Sequence, residues 1–315
     1  MSTTKALQES SIGLEAYSVS RIMDNFLQWK NSSDKSRSYA VYHPSAFGKC
    51  LRKMQFQRYS SLGVIEQPEK SFDARTIRIF DTGHTMHHRW SEYMRFLKVL
   101  RGVWKCQSCG HLHGKEEMLG CFEPQGCADC GSPLLVYEEI TVQDNDINFY
   151  GHVDQVLDFG SIREDFIKSK HGQGVAGDLP NLPSGPFVVD MKSIGKSQWS
   201  RIANEPHFEY VVQLTTYIHI LGLECGMLIY EKKDDSELKF FRISRNEQMW
   251  EDIKKQAGLM LQMSERKSLP PPRPKSKDSW ECKMCEYKDM CHAAGIWNRV
   301  DLDDLRRKFY PFDKE

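Results

Sequence analysis

The sequence predicts an α/β protein with a mixed sheet flanked by helices and interrupted by a small cysteine-rich insertion. Short runs with strand-like alternation are separated by longer stretches with helical spacing of apolar residues, the pattern of an α/β fold. Residues 104–133 differ abruptly in composition, because they are rich in Cys and Gly and poor in large aliphatic side chains. The strand-like runs lie at residues 136–142, 147–158, 186–192, 225–231 and 238–243.

The chain divides into four predicted regions. Its 315 residues are enough for about two domains, or for one large core that carries insertions. The regions are an N-terminal helical region at 1–103 that contains Cys50 and His87, the insertion at 104–133, the main α/β core at 134–245, and a C-terminal helix, cysteine cluster and tail at 246–315.

Helical spacing of apolar residues predicts the helices that flank the sheet. The pair Pro44–Ser45 is typical of a helix start, and Gly222 is typical of a helix end. Residues 170–186, dense in Gly and Pro, predict an exposed hairpin loop, and Pro270–Pro274 predicts a stiff spacer. The predicted helices cover residues 1–35, 44–59, 76–98, 206–222 and 246–266.

The charge balance gives no sign of a polyanionic partner for the whole chain. Apolar residues make up 40% and charged residues 27%, an ordinary globular composition. Lys and Arg together number 43, as do Asp and Glu, so there is no overall basic charge. Residues 49–58 nevertheless contain Lys49, Arg52, Lys53 and Arg58 and no acid. This stretch predicts either a DNA contact or a solvated helix face.

The first residues lack the apolar core of a signal peptide, and no apolar run is long enough to span a membrane. We therefore expect a cytoplasmic protein with no membrane partner. Ten cysteines are many for such a protein. In a reducing compartment, clustered cysteines indicate bound metal rather than disulfide bonds.

Two carboxylates and a lysine lie in predicted strands. Asp190 and Lys192 are two residues apart in the strand at 186–192, so their side chains point to the same face. Asp154 ends the run Tyr150–Asp154 and can approach the same site across a hairpin. Carboxylates bind Mg²⁺ or Mn²⁺, and an ammonium group can orient or activate water. The pattern points to metal-dependent cleavage of a phosphodiester bond.

The helix predicted at 76–98 adds an imidazole to these candidates. His87 follows Gly83 by four residues and is the favoured ligand. His84 and His88 are an alternative, because two histidines four residues apart on a helix can chelate a metal.

The helix predicted at 206–222 carries Gln213 and Tyr217 on one face, since they are four residues apart. They can support the lysine, contact a phosphate or simply pack in the core. An Asp-x-Lys pair alone is a weak signal, because an ion pair at a strand end has the same pattern. The ordered series of all four motifs is much more specific.

With these motifs the chain resembles the PD-(D/E)xK nuclease superfamily, in its RecB-like branch. That branch includes the CRISPR-associated RecB-like nucleases, AddB-type nuclease domains and phage exonucleases. The resemblance covers residues 43–292 apart from the insertion, and it rests on the motifs Gly83-x-x-x-His87, Gly151-x-x-Asp154, Asp190-x-Lys192 and Gln213-x-x-x-Tyr217.

The resemblance implies a restriction-endonuclease-like core and assigns roles to the motif residues. His87, Asp154 and Asp190 match the family's metal ligands, and the backbone carbonyl of Met191 matches a further ligand. Lys192 matches the catalytic lysine. The implied activity is that of a Mg²⁺- or Mn²⁺-dependent DNA exonuclease acting on single-stranded DNA or free DNA ends. Its implied settings are DNA end processing, recombination or repair, phage DNA metabolism and CRISPR adaptation.

The C-terminal region contains Cys282, Cys285 and Cys291, one fewer than the four thiolates that a tetrahedral metal or a cubane cluster requires. Cys50 is the candidate fourth ligand. One distant cysteine followed by a terminal triplet resembles the iron–sulfur staple of AddB-type and CRISPR-associated nucleases, which implies a [4Fe-4S] cluster. A four-cysteine zinc site is the alternative.

Two Cys-x-x-Cys pairs in the insertion have the spacing of a zinc ribbon, and each is followed by a glycine that suits a tight turn. We expect a structural Zn²⁺ here, with a contact to DNA as the alternative. The expected ligands are Cys106, Cys109, Cys127 and Cys130, and the possible substitutes are Cys121, His111 and His113.

Two rival interpretations of the whole chain remain. One is a non-catalytic DNA-binding protein that keeps the fold and the metal sites. The intact Asp190-x-Lys192 pair argues against it, because a retired site does not need the lysine. The other is a transcription-type zinc protein, but one ribbon does not account for the remaining residues.

Overall fold

A computed structural model describes residues 11–33, 38–68, 72–294 and 309–310. The chain forms two compact units, one made of residues 1–38 and 68–86 and the other of residues 39–67 and 87–315. No helix among the described residues combines the length and apolarity needed to cross a membrane.

The described helices are α1 (Ser11–Ser33), α2 (Pro44–Phe47), α3 (Leu51–Ser61), α4 (Ala74–Phe96), α5 (Glu164–Lys168), α6 (Lys170–Gln173), α7 (Lys196–Trp199), α8 (Phe208–Ile220), α9 (Glu247–Glu265), α10 (Trp280–Lys283) and α11 (Lys288–Ala293). Turns of 3-10 helix lie at Phe159–Ser161, Ala176–Asn181 and Ser200–Ile202. The strands are β1 (Leu100–Cys106), β2 (Leu112–His113), β3 (Cys121–Phe122), β4 (Leu135–Glu138), β5 (Ile140–Asp144), β6 (Phe149–Val153), β7 (Gln155–Leu157), β8 (Phe187–Ile194), β9 (Cys225–Lys232) and β10 (Leu238–Ser244).

The smaller unit contains α1 and the first part of α4. Asp24 on α1 forms an ion pair with Arg78 on α4. The rings of Phe72 and Phe80 meet edge to face, with centroids 5.1 Å apart. Both helices agree with the predictions at 1–35 and 76–98, of which residues 1–10 and 34–35 lie outside the described part.

The larger unit is built on a mixed sheet with the strand order β10–β9–β8–β7–β1–β2, and β3 and β4 also pair with β1. Strands β8 and β9 run parallel, and the other pairs in this sheet are antiparallel. Strands β5 and β6 form a separate two-stranded sheet. The predicted mixed sheet flanked by helices is confirmed.

Helix α8 makes the crossover that a parallel strand pair requires, because it connects β8 to β9. Every residue from Phe187 to Met191 in β8 is buried, as expected of a strand covered on both faces. The core beside it contains Val156, Val188, Leu214 and Leu228. Strand β8 therefore lies inside the sheet, between β9 and β7, with its first five residues in the core.

The last three strands and the two long C-terminal helices lie within two residues of their predicted bounds. Their ends have identifiable local causes. The side chain of Asn246 accepts a hydrogen bond from the Met249 N–H at 3.0 Å and caps the start of α9. Gly222 has φ +64°, a conformation that ends a helix and that favours glycine.

Strand β1 is not predicted by the sequence, yet it links the insertion to the core. It pairs with β7 at Leu100 and Arg101 and then continues into the cysteine-rich module, where it pairs with β2, β3 and β4. It therefore crosses the predicted boundary at residue 103. Gly102 is required within it, because a Cβ at this position would lie 2.1 Å from the ring of Tyr137.

The helix predicted at 44–59 is broken into α2 and α3. Gly48 lies at the break, where the chain passes so close to α8 that an added Cβ would lie 2.3 Å from the Cα of Glu209. The sequence pattern reports local helical preference, whereas the break is set by packing against a distant helix.

The predicted exposed loop at 170–186 contains helical turns, namely α6 and the 3-10 turn Ala176–Asn181. The hydroxyl of Ser169 accepts a hydrogen bond from the Gly172 N–H at 3.1 Å and caps α6. The Gly and Pro content therefore indicated short turns rather than an extended hairpin.

The basic stretch at 49–58 does not form an open basic surface. Arg52 is 1% exposed, and its Nη1 donates a hydrogen bond to the Pro270 carbonyl at 2.9 Å. Lys53 pairs with Glu286 at 2.7 Å, and Arg58 Nε donates to Ser264 Oγ at 3.1 Å. Neither a DNA contact nor a solvated face describes Arg52, because the C-terminal segment covers it. Pro270 is itself buried, so the predicted spacer is packed rather than free.

Candidate functional site

Three carboxylates form one row across neighbouring strands, which we call the acidic row: Glu139, Asp154 and Asp190. The pairing of Gln155 with Val189 places Asp154 beside Asp190. The pairing of Ile140 with Val153 likewise places Glu139 beside Asp154. Glu139 and Asp154 each occupy a junction between two strands, where the chain leaves the small β5–β6 sheet.

The structure brings His87 to the acidic row. Its Nδ1 lies 3.4 Å from Oδ2 of Asp154. His87, Glu139 and Asp154 each offer a ligand atom within 4.8 Å of the other two. The alternative histidines are placed differently, since His84 is exposed and lies 4.0 Å from Asp81, and His88 is exposed.

The backbone of β8 also contacts the row. The N–H of Met191 donates a hydrogen bond to Oδ2 of Asp154 at 2.8 Å. This bond fixes Asp154 beside the strand that carries Asp190, and it places the Met191 peptide next to both carboxylates.

Asp190 is fully buried and pairs with Lys192, whose Nζ lies 2.9 Å from Oδ1 and 2.7 Å from Oδ2. Only the contact with Oδ1 has hydrogen-bond geometry. Nε2 of Gln213 donates a second bond to Oδ1 at 3.0 Å, and it also lies 3.3 Å from the Tyr217 hydroxyl. Gln213 and Tyr217 are both buried, and the bond from Gln213 supports the carboxylate of Asp190.

Lys192 has a second neighbour that the sequence did not indicate. Its Nζ lies 4.9 Å from the centre of the Tyr210 ring, within the range of a cation–π interaction. Tyr210 packs in turn against His207 and Tyr230, with ring centroids 5.9 Å and 6.1 Å away. The ring is thus held in place by α8 and β9.

Burial and charge move the pKa values of these groups apart. Burial raises the pKa of Asp190 to about 6, although Lys192 opposes the shift. Burial also acts to raise the pKa of Asp154, but the hydrogen bond from His87 and the charge of Lys192 outweigh it, so its pKa is lowered. Burial acts to lower the pKa of Lys192, and the charges of Asp190 and Asp154 reverse the sign, so the ammonium is retained.

The ligand atoms of the acidic row and His87 fit a divalent cation. Carboxylate oxygens and one imidazole are ligands that Mg²⁺ and Mn²⁺ accept. Of the residues predicted from the sequence, the structure brings His87, Asp154, Asp190, Lys192 and the Met191 backbone together at this site. Glu139 was missed, because the sequence shows it only as an acid within the strand predicted at 136–142, and its place opposite Asp154 comes from the pairing of Ile140 with Val153.

The insertion contains a second group of candidate metal ligands. The thiols of Cys106, Cys109, Cys127 and Cys130 lie within 4.8 Å of one another and can hold a metal ion. The Sγ atoms of Cys106 and Cys130 are 3.6 Å apart, too far for a disulfide.

The two turns that carry these thiols match each other. Gly110 has φ +81° and donates its N–H to the Cys106 carbonyl at 2.9 Å, and Gly131 has φ +72° and donates to Cys127 at 2.8 Å. His111, one of the possible substitute ligands, pairs with Asp129 at 2.8 Å.

The remaining predicted cysteines share one pocket, which we call the cysteine pocket. It is lined by Cys50, Cys282, Cys285 and Cys291, together with Arg52 and Lys53. Burial raises the pKa of each of these thiols, that of Cys285 to about 11. A metal or another cation would favour loss of their protons. Unlike the thiols of the insertion, these four are not grouped within 4.8 Å of one another.

Comparisons with known proteins give no family assignment. No family model matches the chain, and no curated protein matches it. Among solved structures, it is similar to the protein SSO0001, with a TM-score of 0.41 and 13% identity over 87% of this chain and 96% of the other.

It is also similar to the alkaline exonuclease LHK-Exo of Laribacter hongkongensis, with a TM-score of 0.29 and 16% identity over 42% of this chain and 58% of the other. The complex of LHK-Exo with dAMP gives a TM-score of 0.27 and 15% identity over 41% and 58% of the two chains. All three TM-scores are below 0.5, so the function proposed below rests on the geometry of the site.

Proposed function

We propose that this protein is a divalent-cation-dependent nuclease that hydrolyses phosphodiester bonds in DNA. The observation that supports it is the convergence of His87, Asp154, Asp190 and Lys192, from one helix and two strand regions, on a single site. An imidazole, two carboxylates and an ammonium group in that arrangement suit cleavage of a phosphodiester.

The groups that would hold Mg²⁺ or Mn²⁺ are His87, Asp154, Asp190 and the Met191 carbonyl, with Glu139 at the outer end of the row. The cation, when bound, supplies positive charge to a phosphate oxygen and lowers the pKa of a water molecule. Hydrolysis adds the water oxygen to phosphorus and breaks the bond to one sugar oxygen. The products are a phosphate end and a hydroxyl end.

The chain's own residues orient this reaction. Lys192 holds a proton at Nζ and can hydrogen-bond to the attacking water or to a phosphate oxygen. Gln213 fixes the orientation of Asp190 through the bond at 3.0 Å, and Tyr217 backs Gln213. Tyr210 keeps the Lys192 ammonium at the mouth of the site.

The finer activity that we propose is an exonuclease acting on single-stranded DNA or on free DNA ends. It is supported by the resemblance of the motif series to the RecB-like nucleases. The same resemblance supports a role in DNA end processing during recombination or repair, in phage DNA metabolism or in CRISPR adaptation.

We also propose the identity of two further metals. Four thiols on two matching turns suit a structural Zn²⁺ at Cys106, Cys109, Cys127 and Cys130. The cysteine pocket suits a [4Fe-4S] cluster, with a four-cysteine zinc site as the alternative.

The experiment compares cleavage of end-labelled and circular DNA by the wild type and by Lys192→Ala, with Mg²⁺, Mn²⁺ or EDTA. We expect metal-dependent cleavage of linear DNA by the wild type and loss of it in the variant. A wild type as inactive as Lys192→Ala on every DNA form would favour the non-catalytic DNA-binding protein.

Three histidines on α4 provide a matched control. His87→Ala should remove activity, whereas His88→Ala should retain it, because His88 is exposed and lies outside the row. Equal loss in both variants would contradict the assignment of His87.

A further inference from the structure

Arg52 is a buried cation for which the described part of the chain supplies no anion. Only 1% of the residue is exposed to solvent. Among the described residues it takes part in no ion pair, and its Nε and Nη2 have no hydrogen-bond partner. A charged group in such a place is strongly disfavoured unless an opposite charge is close to it.

The guanidinium is held firmly where it lies. Nη1 donates a hydrogen bond to the Pro270 carbonyl at 2.9 Å. The ring of Phe56 lies 5.6 Å from Cζ and stacks in turn on Tyr287 at 5.4 Å. These contacts account for one of its three nitrogens and for one face of its plane, and they leave Nε and Nη2 to be explained.

The cysteine pocket is where the missing anion belongs, because Arg52 lines it together with Cys50, Cys282, Cys285 and Cys291. Arg52 acts on one of these thiols directly, since burial raises the pKa of Cys291 and Arg52 lowers it in part. Three other charged residues line the pocket. Lys53 is neutralised by Glu286 at 2.7 Å, Glu281 forms no described ion pair with Arg52, and Lys288 is a cation like Arg52.

We propose that Arg52 is the counter-charge and hydrogen-bond donor of an anionic metal–tetrathiolate centre in the cysteine pocket. Four thiolates around a [4Fe-4S]²⁺ core or around Zn²⁺ leave a net charge of about −2 in either case. The free N–H groups of Arg52 donate to the sulfur atoms and offset part of this charge. The inference rests on the metal centre proposed above and is independent of the nuclease activity.

The chain offers a matched control on the same helix. Arg58 also places its guanidinium over an aromatic ring, 5.1 Å from the centre of Tyr42, and donates to Ser264. It does not line the cysteine pocket. Arg52→Met and Arg58→Met therefore remove the same chemistry with and without the contact to the thiols.

The test measures iron, acid-labile sulfide and zinc in full-length protein purified without oxygen, and then the rate at which a chelator removes the metal. Iron with sulfide identifies a cluster at the pocket. Zinc beyond the amount held by the insertion identifies a tetrathiolate zinc. We expect Arg52→Met to lose this metal at least tenfold faster than the wild type, and Arg58→Met to retain it.

If the pocket holds an iron–sulfur cluster, its reduction potential gives a second measure. Reduction adds negative charge, so loss of Arg52 should shift the potential to more negative values. A tenfold change in the reduction equilibrium corresponds to about 59 mV for a one-electron couple.

Arg52→Lys keeps the charge and decides the matter if Arg52→Met does not fold. It should lose metal at a rate between those of the wild type and a protein without the charge. Arg52 variants that fold and keep the metal as well as the wild type would overturn the proposal. So would a wild type with no metal in the pocket. A wild type that binds the metal but cleaves no DNA would refute only the nuclease.

Discussion

The acidic row and the four-cysteine cluster of the insertion are assembled in opposite ways. The cluster takes its thiols from two tight turns, Cys106–Cys109 and Cys127–Cys130. The acidic row takes its carboxylates from the β4–β5 and β6–β7 junctions and from β8, and His87 beside it comes from α4. One set of ligands depends on local chain geometry, and the other depends on the whole sheet.

The surroundings of the two sites differ as well. The cluster offers four soft ligands, a set that would complete the coordination of a tetrahedral metal and leave no position for a substrate. The acidic row offers oxygen ligands, His87 adds one imidazole, and Lys192 provides an ammonium group that keeps its proton. A closed set of ligands stabilises a fold, and an open set with a proton carrier supports catalysis. The chemistry of the ligands and the groups beside them therefore distinguish a structural site from a catalytic one better than the number of candidate ligands does.

The largest expected effect on cleavage comes from removing one carboxylate of the acidic row, and it tests whether the two sites are independent. Asp190→Asn should lower the rate of DNA cleavage by on the order of a thousandfold, because the site loses a charged ligand. The zinc content should not change. Cleavage is measured with labelled DNA in excess Mn²⁺, and zinc by metal analysis of the same sample. Loss of zinc along with activity would show that the two regions are not independent.

Glu139 tests whether the row extends beyond the residues predicted from sequence. Glu139→Gln should raise the Mn²⁺ concentration needed for half-maximal cleavage by about 10- to 100-fold, the range for weakened metal support. The neighbouring Glu138 pairs with Lys105 at 3.5 Å, so Glu138→Gln serves as the control. Equal metal dependence in both variants would remove Glu139 from the site.

The pH dependence of metal binding should reflect Asp190. Its pKa is raised to about 6, chiefly by burial, and a proton competes with the cation for the carboxylate. Affinity for Mn²⁺ should therefore begin to fall above pH 6, because Asp154 raises the pKa of His87 against the effect of burial and burial raises that of Glu139 to about 7. Below about pH 6 protonation of Asp190 should steepen the fall by about a further tenfold per pH unit. Calorimetric titration of the wild type and Asp190→Asn measures this. An Asp190→Asn profile with the same slope would assign the proton to another group.

Replacing Tyr210 tests the aromatic neighbour of Lys192 rather than a metal ligand. Replacement by Leu should slow cleavage at saturating substrate by about 2- to 30-fold, since a cation–π contact contributes about 0.5–2 kcal/mol. Tyr210→Phe retains the ring and should retain most of the rate. Phe and Leu variants with equal rates would show that the ring serves only as packing.

The smallest effect on cleavage is expected from the cysteine cluster. Cys127→Ser should release one zinc per chain and change the rate of the folded protein by less than about threefold, because the cluster supplies no group to the row. The rate is compared with the fraction of folded protein measured by circular dichroism. A much larger loss in folded protein would mean that the ribbon contacts DNA, as the alternative interpretation holds.

Several elements follow from local pattern and agree with the structure. Strand β8 lies within two residues of the strand predicted at 186–192, and α9 lies within one residue of the helix predicted at 246–266. The four cysteines of the insertion are brought together by the two turns that their spacing and glycines predict.

Other elements required information that no local pattern contains. Strand β1 is hidden in a stretch whose cysteine-rich composition conceals its alternation, and its pairing partners lie as far away as Leu157. The break at Gly48 is set by the approach of Glu209. The basic stretch at 49–58 was predicted to lie on the surface, because the sequence does not show that Pro270 contacts Arg52.

The sequence by itself determined the α/β class, the order of the polar motifs and the four-cysteine cluster, since each depends on residues near one another in the chain. Only the tertiary structure decided that Glu139 joins the acidic row, that Tyr210 lies over Lys192 and that Arg52 faces the cysteine pocket. Strand register and helix packing bring these groups together, and both are set by the burial of apolar surface across the whole unit.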